Sequence, residues 1–246
     1  MLLAGRSRVP ARSDAVRSAD SSIQTTVDDW IQSYQDNKEE AIAELVNFIL
    51  RVGTLSHTWL RASWQTLTSG VALVGQACGC NASVDEHQAS DQDGIVDTLE
   101  DIQQQFKTET LFGNYPLVAK NKQKLRSALG SFLTKLYASA ANEEILYDDD
   151  GALFTILEAW LTSISSSQIR AFRHTSTVVA LMSVTALNEV AVATRKEHAQ
   201  ANRAKEAEEK KGRKDKARLK DLDKNCAEIH QRLEALERFL DDLFTE

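Results

Sequence analysis

Residues 168–211 read QIRAFRHTSTVVALMSVTALNEVAVATRKEHAQANRAKEAEEKK, 44 residues without a glycine or a proline. Gly and Pro are the residues that most often end a helix, so an uninterrupted stretch of this length predicts one continuous helix, about 66 Å long at 1.5 Å per residue. Its first half is apolar on several sides and rich in small residues, Ser176, Ala180, Ser183 and Ala186. Small side chains let neighbouring helices approach closely, which predicts a central buried helix. Its second half is polar. Beyond Gly212, Leu219, Leu222, Cys226, Ile229, Leu233, Leu236, Leu240 and Leu243 alternate steps of three and four, a heptad seam that wants one partner helix. The expected partner is the polar half of the preceding helix, folded back as an antiparallel hairpin, with Val190, Ala193, Ala201 and Ala204 facing the seam. Alanines bury little area, so the distal hairpin is expected to be only marginally stable.

Upstream, the strongest amphipathic period is Leu153, Ile156, Leu157, Trp160, Leu161 and Ile164, which follows Asp148-Asp149-Asp150-Gly151. The acids suit the start of that helix, and one of Ser165–Ser167 is expected to cap the next. Val27, Trp30, Ile31 and Tyr34 predict a helix from about Thr26, and Ile42, Leu45, Val46 and Ile49 a second, joined at Asp36–Lys38 as an antiparallel pair. Ile95, Leu99, Ile102 and Phe106 predict a helix that ends before Gly113–Pro116, and Leu125, Leu129, Phe132 and Leu136 one over roughly 120–140. Residues 52–94 lack a sustained period and are expected to form an irregular, poorly packed insertion. The Arg- and Ser-rich residues 1–21 are expected to be a disordered tail. The organisation predicted is therefore all-α: a helical unit over 22–194 and a long helical hairpin over 195–246. With 10 Gly and 2 Pro among 246 residues, strand-rich folds with many tight turns are excluded. Three Cys do not make a secreted disulfide framework. No apolar run is expected to reach the length of a membrane span.

The residues offer no convincing catalytic or metal site. Cys78, Cys80 and His87 supply three zinc-type ligands, but no fourth follows at useful spacing. His174 suits a core or capping histidine better than a general base. Asp148–Asp150 needs no cation at a helix start. No glycine loop of the phosphate-cradling kind is present. A non-enzymatic chain without cofactor or metal is expected.

Charge is more informative. The chain carries 36 acidic and 29 basic residues, net −7, yet residues 120–135 hold five basic residues, Lys120, Lys122, Lys124, Arg126 and Lys135, and no acid. At 100° per residue Lys124 and Lys135 share one helix face, whereas Arg126 lies on the other flank of the apolar stripe. Phosphates are met by point charges of this kind, which makes these five residues the candidate DNA-binding set. A solvated helix face is the plain alternative, weakened by the acidic sequence on both sides. Residues 195–220 are also basic, but interspersed with Glu and Asp, and the hairpin tip at Lys210–Lys220 reads as solvated.

Several stretches carry a resemblance. Asp29-Trp30-Ile31-Gln32-Ser33-Tyr34, Leu45-Val46-Asn47-Phe48-Ile49, Asn114-Tyr115-Pro116-Leu117 with Lys122–Arg126, and above all Gln168–Thr175 with Thr185-Ala186-Leu187 resemble the N-terminal region of the stromal antigen (STAG/SA) subunits of cohesin. The resemblance covers roughly 22–246. Val52–Ala77 has no counterpart in the family pattern. Family members are several times longer, so the chain would correspond to their N-terminal part. The resemblance implies a HEAT-like helical-repeat head with a long hairpin, and a nuclear, chromatin-associated subunit that supports sister-chromatid cohesion. It implies sequence-independent contact with duplex DNA through Lys120, Lys122, Lys124 and Arg126. It also implies kleisin and other cohesin-ring or loader partners, the main kleisin surface lying beyond this chain. From the residues alone, a cytoplasmic α-helical adaptor that never touches nucleic acid stands beside this reading.

Overall fold

The computed structural model describes residues 12–54, 83–108, 122–147, 152–211 and 215–245. These form α1 (Arg12–Asp36), α2 (Lys38–Thr54), α3 (Glu86–Ser90), α4 (Ile95–Thr108), α5 (Lys122–Asn142), a 3₁₀ turn (Ile145–Tyr147), α6 (Ala152–Ser165), α7 (Arg170–Glu209) and α8 (Lys216–Thr245). No strand occurs among the described residues. The all-α architecture expected from the scarcity of Gly and Pro is the one observed.

Helix α1 packs on α2 and α5, α2 on α6 and α7, and α7 lies among α2, α5, α6 and α8. Val27, Trp30, Ile31 and Tyr34 are all buried, as their spacing predicts. The Asp36–Lys38 joint reduces to Asn37, whose backbone N–H still donates to Ser33 O while Ala41 N–H donates to Asn37 O. Across this tight turn Trp30 Nε1 donates to Ala41 O at 2.9 Å, so a tryptophan of one helix satisfies a carbonyl of the next. Helix α1 begins at Arg12 and not at Thr26. An apolar stripe marks only the packed part of a helix, and residues 12–20 carry none, so the tail expected over 1–21 is helical from Arg12 on.

The expectation of an irregular stretch through Gly94 also needs correction where it is described. Asp85 and Gln88 form a capping box: Gln88 N donates to Asp85 Oδ1 at 2.8 Å and Asp85 N to Gln88 Oε1 at 3.2 Å. Asn47 of α2 holds the strand of backbone before it, donating Nδ2–H to Val84 O at 2.9 Å and accepting from Val84 N at 2.8 Å. Trp160 Nε1 donates to Ala89 O at 2.9 Å. Val84 and Ala89 are buried. Five residues are too few to show a helical period, so this element is invisible to pattern reading. The remainder of the stretch, residues 55–82, lies outside the described residues, as do Asp148–Gly151 and Gly113–Pro116.

Helix α7 is continuous over 40 residues, as the sequence predicts. Its most apolar 18-residue window has a mean hydropathy of 1.5, and half of that window is buried among the other helices. By length and composition it could cross a membrane, contrary to the expectation that no segment would; its burial among four helices is that of a core helix. Helices pack closely along it because its polar groups are small and turned inward. Ser176 Oγ donates to Leu161 O at 2.7 Å. Tyr137 of α5 faces Ser183, and burial pushes its hydroxyl up to about 12. No serine caps α7: its N-cap is Ile169, without a side-chain cap bond. Ser167 instead fixes the joint, accepting from Ile169 N at 3.1 Å and donating to Gln103 Oε1 at 3.0 Å.

The hairpin is antiparallel, with Arg195 paired to Glu237, Lys205 to Asp223 and Arg218 to Glu208. Its root belongs to the main core: Leu236, Phe239 and Leu240 are buried there, and Phe239 stacks on Phe154 with centroids 4.2 Å apart. Further out, Ala201, Cys226 and Ile229 form a separate small cluster. The α7 face differs from the one expected. Val190 and Ala201 are buried, but Ala193 and Ala204 are exposed, and Ala191, Thr194 and Glu208 are buried in their place. His198 stacks on His230 across the hairpin at 5.6 Å. The seam of α8 therefore meets several polar residues. Leu236 is 0% exposed, whereas Leu233 is only partly buried. In urea denaturation Leu236→Ala is expected to cost about 3–5 kcal/mol, and Leu233→Ala clearly less.

Candidate nucleic-acid interface

Helix α5 buries Leu125, Ala128, Leu129, Phe132, Leu133 and Leu136, mainly against α1 and α7, with Phe132 beside Phe48 of α2. That stripe leaves the intervening positions for polar residues, and Gln123, Arg126 and Ser127 are exposed. Lys122 and Lys124 occupy its first turn; Lys120 lies outside the described residues. Lys135 is half-buried, three turns and about 16 Å along the axis from Lys124. The structure thus brings Lys122, Lys124 and Arg126 to one end of α5 and leaves Lys135 apart.

Leu125 of α5 packs on Val178 of α7, with Met182 beside them. Arg126 follows Leu125, and His174 lies one helical turn before Val178, on the same α7 face. His174 is half-buried, and its pKa is held below the usual 6.5, first by burial and then by the positive charges of Arg126 and Arg170. Arg170 and Arg173 are both exposed, and Arg173 Nη1 donates to Ser167 O at 2.9 Å. Two guanidinium groups from different helices therefore act on one imidazole. Sequence reading finds the α5 cations but not this neighbourhood. The Arg170-Ala171-Phe172-Arg173-His174 stretch is conspicuous in the sequence, yet only the pairing of α5 with α7 brings it beside Arg126.

Near and below 6.5 the unfolded chain binds more protons at His174 than the folded one, so stability falls as pH drops through that range. His174→Gln is expected to flatten the slope of stability against pH below about 6.5, measured by urea titration at several pH values.

The hairpin tip is built differently. Glu208 is 4% exposed and takes Lys211 Nζ at 2.5 Å and Arg218 Nε at 3.4 Å. Lys205 Nζ lies 2.6 Å from Asp223, and Lys210 Nζ 3.6 Å from Glu206. Most described cations of the tip face a carboxylate within the hairpin, in keeping with its reading as a solvated tip. No cluster of three metal-ligating side chains occurs among the described residues, and His87 sits on the capped α3 turn. Cys78 and Cys80 lie outside the described residues.

Such an array of packed helices with an extended hairpin defines a helical-repeat protein. Residues 113–225 match the STAG domain family. The chain is 29% identical over 217 residues to cohesin subunit psc3 of Schizosaccharomyces pombe, covering 87% of this chain and 20% of that protein. It is 29% identical over 235 residues to cohesin subunit SA-3 of Homo sapiens, covering 94% of this chain and 17% of the relative. Among solved structures it is similar to cohesin subunit Scc3 from Z. rouxii, with a TM-score of 0.73 and 20% identity, over 91% of this chain and 23% of that one. That likeness shows the shared fold. The resemblance to the stromal antigen subunits of cohesin is borne out, and the chain spans about a fifth of the length of these curated relatives.

Proposed function

We propose that this chain is the N-terminal, DNA-facing part of a non-enzymatic cohesin subunit. It supports sister-chromatid cohesion in the nucleus by holding chromatin through the phosphate backbone. The observation that supports the reading is the run of Lys122, Lys124 and Arg126 in the first turns of α5, a helix that contains no acid, inside the residues that match the STAG domain. Lys120 and Lys135 belong to the same basic run in the sequence and are proposed as further phosphate contacts. Binding is electrostatic and sequence-independent, because phosphates carry no base information. The α-helical surfaces serve protein partners, the kleisin and other ring or loader subunits, whose main kleisin contact lies beyond this chain. Mobility-shift titrations of two unrelated duplexes test the reading. Equal affinities with a steep salt dependence support it. No binding at low salt would favour instead an adaptor that acts through protein contacts alone.

A further inference from the structure

An acid three residues after a serine or threonine is the charge pattern that acid-directed protein kinases read. It occurs in this sequence at Thr25, Thr26, Ser33, Ser83, Ser90, Thr98, Thr155 and Thr194. The fold separates these matches. Thr25, Thr26 and Ser33 lie within α1, Ser90 is the last residue of α3, and Thr98, Thr155 and Thr194 lie within α4, α6 and α7. Thr26 and Thr194 are also buried, as is Ser90 Oγ. A segment bound in extended form is held through backbone groups that a helix keeps for its own hydrogen bonds. Ser83 is the match outside a helix. It is exposed, the backbone over residues 83–85 is irregular, and Asp85 is extended at φ −81° and ψ 174°. The acids that complete the pattern, Asp85 and Glu86, are exposed as well. Both follow Ser83, so the acceptor and its recognition elements all fall within the described residues.

We infer that Ser83 is a phosphorylation site for an acid-directed protein kinase, and that the phosphate loosens α3 from the core. Ser83 Oγ attacks the γ-phosphorus of ATP. The new O–P bond forms as the bond from that phosphorus to the β,γ-bridging oxygen breaks, ADP leaves, and the hydroxyl proton passes to the kinase's carboxylate base. The phosphate brings a charge of about −1.5 to −2 at pH 7. It arrives next to Val84, whose N–H and C=O are both held by Asn47 of α2, and two residues before Asp85, whose carboxylate caps α3. Asp85 and Glu86 carry the same sign and repel it. Helix α3 is five residues long and is fastened by the buried Val84 and Ala89 and by the bond from Trp160 Nε1 to Ala89 O, so a push at its first turn acts on the whole element. The assignment stands apart from the DNA reading of α5.

The test incubates the 246-residue chain with casein kinase 2 and magnesium ATP and maps phosphopeptides by mass spectrometry. Phosphate is expected on Ser83 and absent from Ser83→Ala. Glu86→Lys should slow the modification about tenfold or more, and Glu86→Gln repeats the comparison without a reversed charge. In the phosphorylated chain the Gln88 and Ala89 amides, which donate to Asp85 Oδ1 and Asp85 O, should exchange about fivefold faster, while the amides of α6 stay unchanged. A free peptide of residues 78–90 is the control. Phosphate on that peptide but not on Ser83 of the chain would show that the fold shields the acceptor, and phosphate on neither that the acids do not make a substrate; either result overturns the site. Phosphate on Ser83 with unchanged exchange would overturn the loosening of α3.

Discussion

Reversing Lys122 and Lys124 to glutamate is expected to weaken duplex DNA binding about fiftyfold near 0.1 M salt. Each lost phosphate contact removes close to one released counterion, so the logarithm of affinity loses about 0.9 per decade of salt for each. Two contacts give a salt slope shallower by about two units, and the affinity difference should shrink as salt rises. The loss should be the same for any duplex sequence, since the contacts position the protein without reading bases. The first turn of α5 precedes the buried stripe that begins at Leu125, so helix content and melting should change little. The matched control is Lys214→Glu with Lys216→Glu at the hairpin tip. There the cations Lys205, Lys210, Lys211 and Arg218 already face Asp223, Glu206 and Glu208, and the local field is largely balanced. A larger loss from the tip pair than from the α5 pair would place the DNA surface on the hairpin.

Trp160→Ala should be the most damaging of the core substitutions, at about 3–5 kcal/mol in urea unfolding. The ring is 0% exposed at the centre of α6. Its removal leaves a cavity and, in addition, an unpaired carbonyl at Ala89, which had accepted from Nε1 at 2.9 Å. Trp160→Phe keeps most of the volume and loses only the hydrogen bond, and should cost about 1–3 kcal/mol. The difference between the two separates packing from the attachment of α3. Equal and small losses would mean that α3 contributes nothing to the core.

Trp160 also shows what the sequence can and cannot disclose. Its place on the buried face of α6 is legible from the three-and-four spacing of its neighbours. Its partner is not, because Ala89 sits 71 residues away on a helix of one and a half turns, too short to show a period. The hairpin divides in the same way. The seam on α8 is read directly from its heptads, while the α7 face is read wrongly at Ala193 and Ala204. A polar helix offers no hydrophobic phase to fix its rotation, and the true face runs through Thr194, His198, Ala201 and Glu208. At the candidate interface, a local run of lysines is visible from composition. Arg170 and His174 are not, since their approach to Arg126 depends on two helices packing in parallel, a property of tertiary arrangement and not of spacing.

One helix, α7, serves both as the central strut of the core and as one leg of the hairpin, with no break between Arg170 and Glu209. Mechanically it is a cantilever. From Thr194, the last α7 residue buried near the main core, to Glu209 the free leg is about 22 Å long. At its foot, Arg232 of α8 pairs with Glu144 and lies 5.5 Å from the centre of the Tyr147 ring, which clamps the second leg to the turn between α5 and α6. A tilt of about 10° at that clamp sweeps the tip through roughly 4 Å, and the unbroken leg carries the load into the core that α7 shares with α2, α5 and α6. A load on the tip therefore reaches the main core as torque, without any break in α7 to absorb it.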